Sequence, residues 1–149
     1  MNLRPFILPV LLGPLLAACG SGGDSSSRDS GGGSAGGRPN VVVTVTGDPR
    51  EGNHCMLDIR AENRQSKKLN LMLTFAVESS SSAELSSPTM TAAFSAPAQG
   101  TGAYPSYSLS GAPCDQLQFT VEQAMCFGGD TCVLQYRADG IGRLTPPPN

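Results

Sequence analysis

The chain contains no Trp, a single His (His54), and only five Phe and three Tyr among 149 residues. One His leaves a Ser-His-Asp triad or a multi-His metal site with little to build on. So few aromatics argue against a ligand carrier whose closed pocket is walled by rings. Charged residues are also scarce, at 15 %, and nearly balanced at −2. A nucleic-acid binder needs a basic stripe that this composition does not supply, so no nucleic-acid partner is expected. No apolar run is long enough to span a bilayer as a helix. The longest, Phe6 to Ala18, has 13 residues and is interrupted by Pro9, Gly13 and Pro14. With 18 Gly and 12 Pro, the chain is unsuited to a long helix or coiled coil.

That apolar run has a recognisable layout. Arg4 is the only charge before Asp24, the apolar stretch follows, and it ends in Leu16-Ala17-Ala18-Cys19. A positive start, an apolar middle and small residues before a cut make a secretory signal. The segment resembles a bacterial lipoprotein signal, whose lipobox is Leu, two small residues and Cys. The resemblance implies a signal peptide over 1–18 and a diacylglyceryl thioether on Cys19, which becomes the mature N-terminus. It places the chain in the bacterial envelope, anchored by lipid and facing the periplasm. Gly20 rather than Asp after the lipidated Cys points to the outer membrane.

Residues 20–38 contain eight Gly and six Ser. Such a segment cannot bury enough apolar surface to offset its ordering entropy. Residues 19–39 therefore read as lipidated Cys plus flexible tether, with a root-mean-square reach of roughly 25 Å. The domain proper is expected at 40–144, and 145–149 is a Pro-rich tail.

Within 40–144 the dominant signal is period-two alternation. Cys55, Leu57, Ile59 and Ala61 share one face, and Leu69, Leu71, Leu73, Phe75 and Val77 share another. Val41–Thr46 is β-branched throughout, ended by Gly47, Asp48 and Pro49. Further strands are expected at 89–94, 104–109 (with Pro105 marking an edge), 116–122 and 132–136, with 79–87 and 96–102 as loops. Seven short strands and no helix predict a two-sheet antiparallel sandwich of immunoglobulin-like type, with a small barrel as the competing fold.

Beyond Cys19, four cysteines remain: Cys55, Cys114, Cys126 and Cys132. An exported chain should pair them. Cys126 and Cys132 flank a hairpin-like loop containing Gly128, Gly129 and Asp130. Their facing parity requires a bulge near Gln123 or Met125. Cys55 then pairs with Cys114: if strands reverse in order, the second and sixth start at the same end of the sandwich. No CxxC spacing exists, which disfavours zinc on these thiolates.

Other chemistry finds little support. His54 and Met56 invite copper, but no second His exists and the other Met residues are scattered. Asp58, Glu62 and Asp115 are the acids of positional interest, and Arg60 lies between the first two as on a solvated face. Arg60, Arg64, Lys67 and Lys68 form the one basic cluster, read as a solvated turn with anionic headgroups or glycan as the alternative. No G-x-S-x-G elbow occurs. Neither an enzyme nor a cofactor is expected.

The order Cys55, Asn63, the apolar strand Leu69 to Phe75, Leu109-Ser110-Gly111-Ala112-Pro113-Cys114, then Cys126 and Cys132, resembles a family of small exported proteobacterial proteins. That resemblance implies a disulfide-bearing β-sandwich and no activity. The chain departs from it in its Ser-rich loop at 79–87 and its lipid anchor. The expected role is a binding or structural module contacting another envelope protein, with Tyr104 and Tyr107 at a candidate edge. A small-ligand or metal-handling lipoprotein is the alternative.

Overall fold

The computed structural model describes residues 37–148. The signal segment, Cys19 and the tether as far as residue 36 lie outside the described residues. Eight strands follow in order: β1 Val41–Arg50, β2 His54–Asn63, β3 Leu69–Ser79, β4 Thr89–Ala96, β5 Gly100–Ser110, β6 Leu117–Phe127, β7 Leu134–Asp139 and β8 Arg143–Thr145. A single 3-10 turn, Cys114–Gln116, leads into β6.

The strands make two four-stranded sheets, β5-β2-β1-β7 and β4-β3-β6-β8. This is the expected small sandwich. The pairings β2–β5 and β3–β6 correspond to those of the B–E and C–F strands in immunoglobulin-type sandwiches. Two expectations need correction. The sheets are mixed rather than wholly antiparallel, because β7 lies parallel to β1 and β8 parallel to β6. There are eight strands rather than seven. The chain crosses from β6 to the free side of β1, then returns to the free side of β6. Each of these crossings places a strand beside one that runs the same way.

Alternation explains the core. Leu69, Leu71, Leu73, Phe75 and Val77 of β3 are all buried, and so are Leu117, Phe119 and Val121 of β6. The Phe75 and Phe119 rings meet edge to face at 6.2 Å. This geometry contributes about 0.5–1.5 kcal/mol beyond area burial. From β1 and β2 come Val43, Val45, Leu57 and Ile59. The packing elements are small, so the core is mostly aliphatic side chains around the Phe75 and Phe119 rings.

The strands are longer than expected where glycine looked like punctuation. β1 continues through Gly47 to Arg50, pairing Pro49 with Cys55. The reason for Gly47 is space: a Cβ there would collide with the Gly140 carbonyl and Ile141. β5 begins at Gly100, not Tyr104, because Gly102 lets it pass directly over the Ser95 and Ala96 backbone.

Both predicted cystines form. Cys55–Cys114 spans a Cα–Cα distance of 5.0 Å and joins the start of β2 to the turn before β6, hence one sheet to the other. Cys126–Cys132 spans 6.4 Å. The required bulge is present: Thr74 opposes Gln123 while Phe75 opposes Val121, so Glu122 is the extra residue. It turns Cys126 to the side of Leu71, which it opposes. Cys132 itself precedes β7 rather than starting it.

Chain-entropy reasoning gives about 4 kcal/mol for the 59-residue separation of Cys55–Cys114 and about 2 kcal/mol for the six-residue one. The Cys55→Ser/Cys114→Ser pair should therefore lower the urea midpoint about twice as far as Cys126→Ser/Cys132→Ser.

Tyr136 offers a second test. Its hydroxyl is buried with no hydrogen-bond partner, and burial pushes its pKa from 10.0 up to about 12. Between these values the unfolded phenol ionises while the folded one stays neutral. This contribution to stability is therefore intact below pH 10 and lost as pH rises toward 12. Tyr136→Phe should be at least as stable as the parent at pH 7, and its denaturation midpoint should fall less steeply across that window.

Candidate interaction surface

A sandwich with open sheets has four edges, each with a row of backbone N–H and C=O groups that can pair with another strand. Three of the four are blunted. β5 contains Pro105, with a bulge between Tyr104 and Tyr107 opposite Leu57 and Ile59. Its far end is also covered: Ser86 N–H donates to the Ser110 carbonyl at 3.0 Å, and Ser110 N–H donates to Ser86 Oγ at 3.1 Å. β7 has six residues and carries Arg137 and Asp139. β8 has three.

β4 differs from all of them. Its sequence Thr-Met-Thr-Ala-Ala-Phe-Ser-Ala has no charge and no proline. Its register with β3 is unbroken from Leu69↔Ala96 to Ala76↔Thr89. Apart from that ladder, its described backbone makes no backbone hydrogen bond, and it is covered only at its end, where Asn63 Nδ2 reaches the Ala96 carbonyl and Gly102 of β5 passes over Ser95 and Ala96. The outward face beside it is neutral too: Asn70, Met72 and Thr74 of β3 adjoin Ser95, Ala93 and Thr91.

Asn63 sets where β4 ends. It continues the inward positions of β2 and is 1 % exposed. Its Nδ2 donates to the carbonyls of Lys67 (2.9 Å), Pro97 (2.9 Å) and Ala96 (3.3 Å), and its Oδ1 accepts from Gln65 N–H (3.0 Å). Gln65 extends the network, accepting from Asp130 N–H at 2.8 Å. The crossover from β4 to β5 is thereby held to three residues, 97–99, instead of the longer loop expected. Composition gave no hint of this. An Asn at an inward strand position was the available signal.

The other expected residues fall as follows. Tyr104 and Tyr107 lie on the β5 edge, but half-buried against the core with Phe94, and Tyr107 Oη shares a 2.8 Å hydrogen bond with Ser87 Oγ. His54 is exposed beside Cys55, with Nδ1 3.0 Å from Ser110 Oγ. Sequence reading named Ser110 only within the 109–114 segment, without a role for it. The contact lies on exposed strand ends with no acid hydrogen-bonded to the ring, so it has the partners of a surface contact rather than of a triad. Met56 faces outward opposite Asp48 and Ser108. Among the described residues, no group of three or more His, Cys, Asp or Glu is placed to hold a metal ion.

Two of the three acids of interest are tied to arginines. Asp58 pairs with Arg60, and Glu62 with Arg64 at 2.9 Å. The hydrogen bond from Arg64 holds the Glu62 carboxyl below its usual range, and Asp58 raises Arg60. Lys67 reaches Asp130 at 3.0 Å. Asp115 sits exposed in the 3-10 turn. An open groove of about 460 Å³ lies between Glu62, Asn63, Arg64 and Gln99–Thr101. Its buried member, Asn63, is already fully engaged with backbone.

No protein-family model, curated protein or solved structure matches this chain.

Removing the Asn63 amide leaves two carbonyls short of a donor at the β4–β5 crossover, Ala96 and Pro97, and a third, Lys67, in the β2–β3 turn. Asn63→Ala should cost roughly 2–3 kcal/mol in urea unfolding. Amide hydrogen exchange should speed up first at Ala96–Gly100.

Proposed function

We propose that the chain is a lipid-anchored envelope protein whose sandwich is a non-catalytic binding module. Cys19 carries the lipid, Gly20 directs the protein to the outer membrane, and the domain faces the periplasm. The module takes an extended strand of another envelope protein onto β4. The observation that carries this reading is the contrast between edges: β4 is uncharged, regular in register and without a strand partner on its outer side from Thr89 to Phe94, while the other three are blunted. Main-chain hydrogen bonds supply the affinity in strand addition, and alternate side chains supply the selectivity. Thr89, Thr91, Ala93 and Ser95 offer a small-residue outer face to such a strand. Hydrolysis is not part of the proposal, since Asp58 and Glu62 are paired with arginines on an open face.

Two measurements test it. Radioactive palmitate should label the wild type in growing cells and fail to label Cys19→Ser. A photo-crosslinking residue at Thr91 should yield a discrete adduct with one envelope protein, whereas the same residue at Thr44 on the opposite sheet should not. Ala93→Lys, which places a charge on the edge, should reduce that adduct at least several-fold. A labelled protein that gives no adduct from β4 would overturn the strand-addition reading while leaving the anchor in place.

A further inference from the structure

Charge is distributed unevenly along the strand direction. One pole of the sandwich holds the end of β2 with the 64–68 turn, the 97–99 turn and the 127–133 loop. It carries Arg38, Arg64, Lys67 and Lys68 against Glu62 and Asp130. The opposite pole carries Asp48, Glu51, Glu78, Glu84, Asp115 and Asp139 against Arg50 and Arg143. Both lysines of the chain are at the first pole, and neither Lys68 nor Arg38 is ion-paired among the described residues.

The same pole is where the N-terminal segment meets the folded body. Asn40 N–H donates to the Val133 carbonyl at 3.1 Å. Its side chain donates to the Thr131 carbonyl at 2.8 Å and accepts from Val133 N–H at 2.8 Å. Asn40 is thus pinned against the 127–133 loop. At the base of that loop stands Phe127, 52 % exposed, the single large hydrophobic side chain exposed among the described residues. Gly128 follows it beside the Lys68 carbonyl, and Phe127 itself pairs with Asn70, so Phe127 stands next to the turn that carries the two lysines.

We propose that this pole is a second membrane contact, made by the folded domain itself on an anionic bilayer surface. Phe127 enters the headgroup boundary, and Lys67, Lys68 and Arg38 meet the lipid phosphates. An aromatic ring flanked by basic side chains is the composition that favours the interface. The proposal uses the lipid-anchor reading above for one thing only. A Gly/Ser-rich tether from Cys19 keeps this pole near the surface at an effective concentration of order mM, so an intrinsically weak site is occupied. The acidic pole then faces away from the membrane.

The absence of Trp makes the test direct. Phe127→Trp and, separately, Glu51→Trp in the turn at the opposite pole are made in the full-length acylated protein. Each is reconstituted in vesicles of phosphatidylethanolamine with phosphatidylglycerol. The reporter at 127 should shift to the blue and lose most of its emission to brominated acyl chains. The reporter at 51 should do neither. Adding Lys67→Glu and Lys68→Glu, or replacing the anionic lipid by phosphatidylcholine, should cut the quenching at 127 several-fold. Equal and negligible quenching at both positions in acylated protein overturns the inference and spares the anchor. A chain that lacks palmitate on Cys19, yet whose 127 reporter is quenched by anionic vesicles, supports the inference and removes the anchor.

Discussion

The Cys55–Cys114 bond is the interaction on which the remaining architecture rests. It is a covalent tie between the two sheets, and it closes the pole where β1, β2, β5 and the turn before β6 converge. A core with no Trp and two central Phe rings has limited area to offer against the entropy of ordering about 110 residues. Reducing the entropy of the unfolded chain is an effective substitute. The close approach of Gly47 to Gly140, next to Cys114, shows how tightly that pole is drawn together.

The opposite pole is closed by different means. Asn40, Asn63 and Gln65 supply side-chain amides to turns whose backbone groups have no ladder partner. The Cys126–Cys132 bond holds the loop that two of these amides engage. Buried amides of this kind are favourable only when nearly every donor and acceptor is satisfied. Asn63 meets that condition with four contacts. Tyr136, buried on β7 without a partner for its hydroxyl, does not. The unsatisfied buried side chain is thus in the core, while the buried amides of the pole, Asn63 and Gln65, are engaged.

Much of this was legible in the sequence, and the failures have physical causes. Long alternating runs such as 69–78 specify a strand unambiguously, because both faces are populated by the right residue types. Cystine pairing was legible because strand reversal fixes which ends meet, and the parity of Cys126 demanded a bulge that Glu122 provides. β8 was not legible: three residues with one apolar member, Leu144, contain no period. Glycine misled twice. Gly47 and Gly102 read as breaks, yet both lie within strands at points where another backbone passes too close for a Cβ. The edge was half legible. Pro105 correctly marks β5 as peripheral, but which edge stays open depends on the sheet order, and that is a long-range property. Phe127 faces outward only because the Glu122 bulge inverts the parity of the rest of β6.

The two surfaces set apart here are geometrically compatible. β4 runs from the acidic pole to the basic one, ending at the 97–99 turn beside Asn63. With the basic pole on a bilayer, β4 stands upright, and eight residues at about 3.3 Å each raise its edge to roughly 26 Å above the headgroups. A strand added there must also run along the membrane normal. An in-plane membrane segment cannot supply it, because its backbone lies in the hydrocarbon and at a right angle to β4. The occupant must be an extended segment in the aqueous compartment, with a free strand-length of backbone and no need for opposite charge. On the two proposals above, the tether, the basic pole and the neutral edge would act on one orientation: the first would bring the domain to the surface, the second would set it upright, and the third would then be turned toward its neighbours.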